Sequence, residues 1–391
     1  MRSAVIVDVV RTASGKGKPG GALSSVHPVT LLADTIRALL TRTNVDPASI
    51  DDVIAGCVSQ AGDQALNIAR TAVLAAGIPE AVPGTTVDRQ CGSSQQAVHF
   101  AAQGVLAGAY DIVLACGVES MSRVPMGYSS VDQHPTAPLA TRYPEGLVGQ
   151  GVSAELIAAK WKLDREVLDA YSARSHQRAA NTAAEGGFAG EIVPIEVDGT
   201  VHDTDETLRA STTVESLGGL KPSFVDDRLA RRFPEIEWRI TPGNSSPLTD
   251  AASAVLIMSE EKAVQLGLRP RARFHEFAVV GSDPLFMLTG VIPATQKVLA
   301  RAGLKIDDID VYEVNEAFAP VPLAWQHDLQ ADPEKLNPRG GAIALGHALG
   351  ASGIRLLGTM LNHLEATGGR YGLQTMCEGG GMANATIIER L

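Results

Sequence analysis

The chain has 391 residues, of which 45% are hydrophobic and 20% are charged. This composition is typical of a globular protein, and the length predicts two or three domains. The net charge of −11 argues against a nucleic-acid partner. No apolar run reaches the roughly 18 residues that cross a bilayer, so we expect no membrane span.

Four cysteines lie far apart in the sequence and form no C-x-x-C pair: Cys57, Cys91, Cys116 and Cys377. This spacing argues against a zinc site and a disulfide framework, so we expect reduced thiols, no metal and a cytoplasmic location. Cys57 and Cys116 lie in apolar, strand-like runs, and we interpret both as structural.

The stretch around Cys91 predicts a strand, a sharp turn and a helix. Thr85-Thr86-Val87 is β-branched, and residues 97–106 place small apolar side chains at helical spacing. Cys91 is then at a helix N-terminus, where unpaired N–H groups and partial positive charge favour a thiolate. Gly92 allows another chain segment or a substrate to approach the backbone. A lone cysteine is nevertheless more often a small buried residue.

An internal repeat relates the two ends of the chain. Ile50-Asp51-Asp52-Val53-Ile54 is similar to Ile306-Asp307-Asp308-Ile309-Asp310. Cys91 lies 41 residues after Ile50, and His347 lies 41 residues after Ile306. The repeat predicts two copies of one α/β unit. It also predicts that Cys91 and His347 occupy equivalent strand-to-helix turns and meet near a pseudo-two-fold axis.

The region 121–247 interrupts the repeat with a Pro-rich stretch, a helical pattern and charged segments. We interpret it as an inserted loop domain. The predicted N-terminal half then comprises residues 1–120 and 248–270, and the predicted C-terminal half comprises residues 271–391.

Reactive or polar residues in glycine-rich surroundings occur at four places. A Cys91 thiolate could attack a carbonyl, with His347 as its base and Cys377 as a second acid or base. Backbone N–H groups in the Gly-rich turns and the amide of Asn315 could stabilise an oxyanion. Alternatively, His347 is structural, Asn315 caps the following helix and Cys377 is core. Three successive glycines, 379–381, fit poorly in a core and favour a site.

The chain resembles the thiolase family over nearly its whole length. The motifs that carry the resemblance are Asp88-Arg89-Gln90-Cys91-Gly92-Ser93, Asn315-Glu316-Ala317-Phe318, Gly340-Gly341-Ala342-Ile343-Ala344-Leu345-Gly346-His347 and Cys377-Glu378-Gly379-Gly380-Gly381. The resemblance implies a duplicated five-layer αβαβα fold. It also implies a homodimer or homotetramer that uses coenzyme A as a substrate and binds no cofactor permanently.

The resemblance also implies residue roles. Cys91 would carry the acyl group, His347 would activate it, and Cys377 would move a proton at the α-carbon of acetyl-CoA. Asn315 would hold a water in one oxyanion hole, and the N–H groups of Cys91 and Gly379 would form the other.

By the same resemblance, four residues would contact coenzyme A. Ser246, Ala317 and Phe318 would line the pantetheine channel, and Lys221 would lie near the phosphates.

The chain departs from the family pattern at several positions. Ala348 replaces a proline, which is expected to loosen the turn after His347. Met382-Ala383 replaces Gln-Gly, and a positive φ at the second position would be strained. Gly149-Gln150 replaces the His-Met of short-chain members and favours a longer or bulkier acyl chain. Pro247 and Thr249 also differ.

The sequence therefore predicts cleavage of a 3-ketoacyl-CoA by free CoA, through an acyl group on Cys91. The alternatives are a biosynthetic acetoacetyl-CoA thiolase, and a relative that binds CoA or lipid with little turnover. A decarboxylating ketoacyl synthase has a histidine or asparagine as its third catalytic group, so Cys377 argues against it.

Overall fold

A computed structural model of the chain describes residues 2–391. Its strands are β1 Ala4–Thr12, β2 Gly15–Lys16, β3 Asp52–Gly56, β4 Gly84–Val87, β5 Ile112–Ser120, β6 Ile192–Val193, β7 Ile195–Val197, β8 Thr200–His202, β9 Thr249–Ser259, β10 Ala272–Gly281, β11 Val311–Val314, β12 Tyr371–Glu378 and β13 Met382–Arg390. Its helices are α1 Pro28–Thr43, α2 Ile68–Ala75, α3 Ser93–Leu106, α4 Gln150–Lys160, α5 Arg165–Ala184, α6 Val214–Gly218, α7 Asp227–Arg232, α8 Glu260–Gln265, α9 Val291–Ala302, α10 Pro320–Leu329, α11 Ala342–Leu345 and α12 Ser352–Thr367.

The main strands form two similar halves joined at one seam. Their order is β11-β12-β13-β10-β1-β9-β5-β3-β4, and β1 meets β10 in an antiparallel pair at Val5 and Arg273. In both halves a parallel pair, β3–β5 or β11–β12, is followed by antiparallel strands that lead to the seam. The duplicated architecture predicted from the sequence is confirmed.

The apolar clusters divide the fold into five layers. One cluster joins α1 and α2 to the outer face of the first sheet, and another joins α9 and α10 to the outer face of the second. A third cluster lies between the sheets and contains α3 and α12. The strands are buried on both faces, so consecutive apolar side chains point alternately into different layers. In β9, for example, Leu256 packs in the outer cluster and Ile257 in the central one.

The repeat holds, but its register differs from the prediction. Asp51 accepts the N–H of Ile112, and Asp310 accepts the N–H of Tyr371. Asp310 lies 259 positions after Asp51, whereas the sequence motif suggested 256. The helices agree with 259, since α3 begins at Ser93 and α12 at Ser352. The sequence motif matched the wrong copy because the pair Ile-Asp occurs twice in the second half, at 306–307 and at 309–310.

This register changes the expected equivalence of the two reactive residues. At 259 positions, the counterpart of Cys91 is Gly350, and His347 lies three residues before it. The prediction that Cys91 and His347 occupy equivalent turns is therefore wrong in register. Both still lie on the turns that lead into the paired central helices α3 and α12.

The region 121–247 contains α4–α7 and the short strands β6–β8. It packs mainly on the C-terminal half, because Leu168 and Ile240 share a cluster with residues of β11–β13. It also contacts the N-terminal half, where Arg11 of β1 pairs with Ile192 of β6 and its guanidinium bonds to Glu191 and Asp205. Among residues 2–391, no helix is both long and apolar enough to cross a membrane.

Candidate active site

Cys91 lies in a tight turn between β4 and α3. Gln90 has a φ of 50°, and the N–H of Ser93 donates to the carbonyl of Gln90 over 3.0 Å. Helix α3 begins at Ser93 with Gly92 as its N-terminal capping residue. The predicted strand, turn and helix are confirmed, and Cys91 immediately precedes the helix cap.

The Cys91 thiol is buried and packs in a small apolar cluster with Met121, Leu349, Leu356 and Met376. Burial and, secondarily, the charge of Glu378 raise the pKa of Cys91 to about 12. Hydrogen bonds from the N–H groups of Cys91 itself and Gly379 act in the opposite direction. The helix N-terminus was expected to favour a thiolate, but in the free protein burial outweighs that effect.

His347 is buried in the turn between α11 and α12. Its N–H donates to the hydroxyl of Thr249 over 3.0 Å, and Gly346 before it has a φ of 85°. A Cβ on Gly346 would lie 2.5 Å from the Thr249 hydroxyl, so only glycine fits there. The backbone at His347 is therefore anchored to the start of β9.

Both imidazole nitrogens of His347 have polar neighbours. Nδ1 lies 2.7 Å from the Ser352 hydroxyl, and Nε2 lies 3.3 Å from Nδ2 of Asn315. Burial, together with the positive charge of Arg355, lowers the pKa of His347 to about 3. The imidazole is therefore neutral near pH 7 and able to accept a proton.

The turn at Ala348, which replaces the family's proline, is held by hydrogen bonds. The Ala348 carbonyl oxygen accepts the N–H groups of Ala351 and Ser352, each over 3.0 Å. It also accepts the Ser352 hydroxyl over 2.8 Å. Ala348 lines a cavity of about 20 Å³, which is room for one water.

Asn315 follows the last residue of β11, and its N–H donates to the Thr375 carbonyl of β12 over 3.1 Å. It does not cap the next helix, since α10 begins at Pro320 with Ala319 as its cap. Its Oδ1 is buried and has no partner within residues 2–391. An unpaired buried acceptor beside His347 can hold a water or a substrate proton donor.

Cys377 lies near the end of β12, directly before the glycine turn. It is fully buried, and burial raises its pKa well above the usual value, with a further contribution from nearby Cys91. Gly380 and Gly381 have φ values of 84° and 81°. Ala383 already belongs to β13 and pairs with Cys377, so the strain expected at Ala383 is absent.

Three of the four residues expected at coenzyme A lie together. The N–H and the hydroxyl of Ser246 both donate to the Ala317 carbonyl over 3.0 Å. Phe318 packs edge-on against Phe224, with ring centroids 6.1 Å apart. Lys221 is exposed, three residues before Phe224, and makes no hydrogen bond or ion pair within the described chain.

Three residues contact the site although the sequence predicted no role for them there. Ser352 and Thr249 hold His347. Glu378 is buried beside Gly92. A charged residue inside an apolar strand pattern was a usable signal for Glu378, whereas Ser352 and Thr249 became visible only when the chain folded.

Comparison with known proteins gives the family of this chain. Residues 4–261 match the family described as thiolase, N-terminal domain, and residues 268–390 match thiolase, C-terminal domain. The chain belongs to the thiolase family. Both matches together span almost the whole of this thiolase, and they meet near the boundary between α8 and β10.

Several relatives resemble this thiolase over their full length. A steroid 3-ketoacyl-CoA thiolase of Mycobacterium tuberculosis is 50% identical over 100% of this chain and 95% of the relative. A 3-ketoacyl-CoA thiolase of Erwinia tasmaniensis is 46% identical over 100% of both chains. The crystal structure of a Bacillus anthracis acetyl-CoA acetyltransferase superposes with a TM-score of 0.89 at 36% identity, over 100% of this chain and 99% of that chain. The thiolase fold expected from the sequence is confirmed.

The site of this thiolase thus combines a buried thiol with backbone N–H donors, a neutral histidine with fixed neighbours, and a second buried thiol. In residues 2–391 no group of three histidine, cysteine or acidic side chains is arranged to hold a metal ion. The groups present are those of covalent acyl transfer and proton transfer.

Proposed function

We propose that this thiolase is an acetyl-CoA C-acyltransferase that cleaves a 3-ketoacyl-CoA with free CoA. The products are acetyl-CoA and an acyl-CoA shortened by two carbons. The observation that carries the proposal is the neutral, doubly contacted His347 on the turn beside the buried Cys91 thiol. The 3-ketoacyl-CoA thiolases that are 43–50% identical over the whole chain support the same activity.

In the first step the Cys91 thiol gives its proton to Nε2 of His347, and the sulfur attacks the 3-keto carbon. The N–H groups of Cys91 and Gly379 stabilise the oxyanion. The bond between C2 and C3 then breaks, which leaves the acyl group on Cys91 and an acetyl-CoA enolate. Because the thiol and imidazole rest neutral, no ion pair has to be kept in the buried site before substrate arrives.

In the second step Cys377 protonates the enolate carbon, and acetyl-CoA leaves. Free CoA then gives its thiol proton to the Cys377 thiolate and attacks the Cys91 thioester, and Cys91 leaves as a thiol by taking back the proton that His347 had accepted. Asn315 holds a water through its free Oδ1 beside His347, which stabilises the enolate oxygen. Cys377 suits this role since its high pKa keeps it protonated until the enolate forms.

Coenzyme A lies along Ser246, Ala317 and Phe318 in this proposal, and Lys221 meets its phosphates. The two hydrogen bonds from Ser246 to the Ala317 carbonyl fix the shape of this side of the channel. Exposure of Lys221 agrees with contact to a solvent-facing phosphate. Gly149 and Gln150 favour a longer or bulkier acyl chain than acetoacetyl.

Two alternatives remain, and different measurements separate them. A biosynthetic acetoacetyl-CoA thiolase would be fastest with the four-carbon substrate, so thiolysis rates across linear, branched and ring-derived 3-ketoacyl-CoAs distinguish it. A CoA- or lipid-binding relative would bind CoA tightly without thiolysis.

The direct test is intact mass spectrometry after incubation with an acyl-CoA. The wild type should gain one acyl group, and Cys91→Ala should gain none. Cys116→Ala is the matched control, because Cys116 is a buried cysteine in the outer apolar cluster. An adduct that persists in Cys91→Ala would refute the proposal.

We further propose a cytoplasmic homodimer or homotetramer. Leu66, Leu74, Phe100 and Leu106 are large apolar side chains exposed near the edge strand β4, as in a subunit interface. We also retain the division into 1–120 with 248–270, 121–247 and 271–391. Light scattering tests the assembly, and limited proteolysis tests the division.

A further inference from the structure

Glu378 is a fully buried carboxyl group without a hydrogen-bond partner. It is the last residue of β12, and both of its oxygens are buried and unpaired within residues 2–391. A buried carboxylate without donors is strongly disfavoured, whereas a buried carboxylic acid needs only one acceptor. The proposed reaction gives Glu378 no role.

The Glu378 carboxyl lies directly against the nucleophile turn. A Cβ on Gly92 would lie 2.1 Å from Oε1 of Glu378, and 2.8 and 3.0 Å from Nδ2 and Oδ1 of Asn384. The close approach expected at Gly92 is therefore made by the protein's own side chains from β12 and β13. Glycine at position 92 makes room for both of them.

Asn384 connects this carboxyl to the turn. Its Nδ2 donates to the Gly92 carbonyl over 3.1 Å, which fixes the amide orientation. Its Oδ1 then points away from that bond and has no partner in the described chain. Unpaired acceptors of Glu378 and Asn384 thus both lie within 3.0 Å of the position that a Cβ of Gly92 would take.

The charged groups that face Glu378 come from three directions. The turn before α3 contributes Asp88, Arg89 and the Cys91 thiol. Cys377 lies on the same strand. His99 of α3 lies near Arg89 and is neutral, since burial lowers its pKa to about 3.

The balance of these groups favours the protonated form of Glu378. Burial raises the pKa of Glu378 to about 8, and Asp88 adds to the rise. Arg89 opposes it but bonds to neither oxygen: its Nη1 contacts the Met382 sulfur at 3.7 Å, and its buried Nε has no partner in the described chain.

We propose that Glu378 is a positioning residue for the nucleophile, whose neutral carboxyl donates its proton to Oδ1 of Asn384. The donated proton gives the Glu378 carboxyl and Oδ1 of Asn384 a hydrogen-bond partner each. It also fixes the Asn384 amide that donates to the Gly92 carbonyl. The neutral state also keeps a negative charge away from Cys91 while its thiolate forms. This inference rests on the proposed role of Cys91 as the acylated residue.

The consequence is an upper pH limit on nucleophile reactivity. As pH rises past about 8, Glu378 loses its proton and becomes a like charge beside the developing thiolate. The same step removes the donor that fixes Asn384. Reactivity of Cys91 should therefore rise less steeply with pH than that of a thiol beside a permanently neutral group.

The test compares wild type, Glu378→Gln and Glu378→Ala by the iodoacetamide alkylation rate of Cys91, measured by peptide mass spectrometry from pH 6 to 10. Glutamine keeps a donor for Asn384 but cannot ionise. We expect its rate above pH 8 to exceed that of wild type by about tenfold, and to match it within about threefold at pH 6.5. Alanine should lose about tenfold in thiolysis kcat at pH 6.5 relative to glutamine, since the donor is gone.

Glu313→Gln is the matched control. Glu313 is another buried carboxyl on the adjoining strand β11, burial raises its pKa to about 8, and it does not contribute to the pKa of Cys91. Its alkylation profile should follow wild type. An infrared band of a protonated carboxyl that is lost above pH 8 in wild type, and is smaller in Glu378→Gln, would support the proposal.

A Glu378→Gln profile that overlays wild type above pH 8 would overturn the proposal, even if alanine does not fold. Equal kcat values for the glutamine and alanine variants would overturn the positioning role. Failure of the proposed function looks different, because Cys91→Ala would then still form an acyl adduct whatever residue occupies position 378.

Discussion

The hydroxyl of Ser352 lies 2.7 Å from Nδ1 of His347 and 2.8 Å from the carbonyl oxygen of Ala348. The carbonyl can only accept, so the single hydroxyl proton of Ser352 is donated to it. The serine oxygen must then accept at Nδ1, which places the imidazole proton on Nδ1. Nε2 is left with its lone pair, which accepts from Nδ2 of Asn315 over 3.3 Å in the free protein and can act as a base when substrate is bound.

Replacing Ser352 with alanine should remove the acceptor at Nδ1 of His347, so the imidazole proton is no longer confined to that nitrogen. We expect kcat to fall about tenfold with little change in KM, because substrate contacts remain while the base loses its orientation. The free energy of unfolding should fall by about 1 kcal/mol. Steady-state thiolysis and urea unfolding measure the two effects.

Ser172→Ala is the control for that change. The Ser172 hydroxyl is also buried and also donates to a carbonyl four residues earlier, Leu168, over 2.8 Å. Among residues 2–391 this hydroxyl makes no other hydrogen bond. A similar loss of kcat in Ser172→Ala would contradict the specific role of Ser352.

Thr249→Val should impair catalysis from the other side of His347. The variant keeps the shape of the side chain but leaves the His347 N–H without its 3.0 Å acceptor. We expect a loss of about 1–3 kcal/mol in unfolding free energy and a lower kcat. If Thr249→Val preserves both the unfolding free energy and kcat, then the Pro247 carbonyl, 3.4 Å from the His347 nitrogen, suffices as an acceptor.

Gly92→Ala should destabilise the nucleophile turn by overpacking. The new methyl group would meet Oε1 of Glu378 at 2.1 Å, so we expect a loss of about 1–3 kcal/mol. Combining it with Glu378→Ala removes the closest contact and leaves Nδ2 of Asn384 at 2.8 Å, so the double variant should lose less than the sum of the single changes. Gly218→Ala, where a Cβ meets nothing within 4 Å, is the neutral control. If the losses of unfolding free energy in the two single variants simply add in the double variant, the predicted contact is excluded.

Acid should destabilise the fold partly through its buried histidines. Burial lowers the pKa of His99 and His347 to about 3, whereas an unfolded histidine titrates near about 6.5. Below pH 6.5 the unfolded chain therefore binds protons that the folded chain rejects. Each histidine then costs up to about 1.4 kcal/mol per pH unit until pH approaches 3.

His99→Gln tests this directly. Glutamine can still bond to the Thr386 hydroxyl that lies 2.7 Å from His99 Nε2. Between pH 6 and 4 the unfolding free energy of this variant should fall less steeply than that of wild type, as measured by urea titrations. Equal slopes of unfolding free energy against pH for His99→Gln and wild type would mean that His99 binds its proton equally well in the folded and unfolded states.

Cys377→Ser should separate the two half-reactions. Cys91 and its donors are unchanged, so the variant should still form an acyl adduct. A serine hydroxyl is a far weaker acid than a thiol, so exchange of the acetyl-CoA α-protons with deuterated water should fall by at least about a hundredfold. Exchange at the wild-type rate would remove Cys377 from its proposed role.

The sequence alone determined the main features of this protein. Alternating apolar strands and small-residue helices fixed the layers, because each local pattern matches the face that it buries. The duplication was visible because residues 50–54 and 306–310 carry similar acidic motifs, although the matching pair Asp51 and Asp310 emerged only from the structure. The motifs around Cys91, Asn315, His347 and Cys377 predicted the reactive residues, because the proposed chemistry requires those residue types.

Only the tertiary structure decided how those residues are positioned, oriented and protonated. The register of 259 positions became clear from hydrogen bonds between segments that are distant in sequence. The tautomer of His347 depends on Ser352 and Ala348, and its backbone depends on Thr249 from another strand. The neighbours of Gly92 come from β12 and β13, more than 280 positions further along the chain. Burial and such long-range contacts set the protonation states of Cys91 and Glu378, and they arise only when the strands and helices pack.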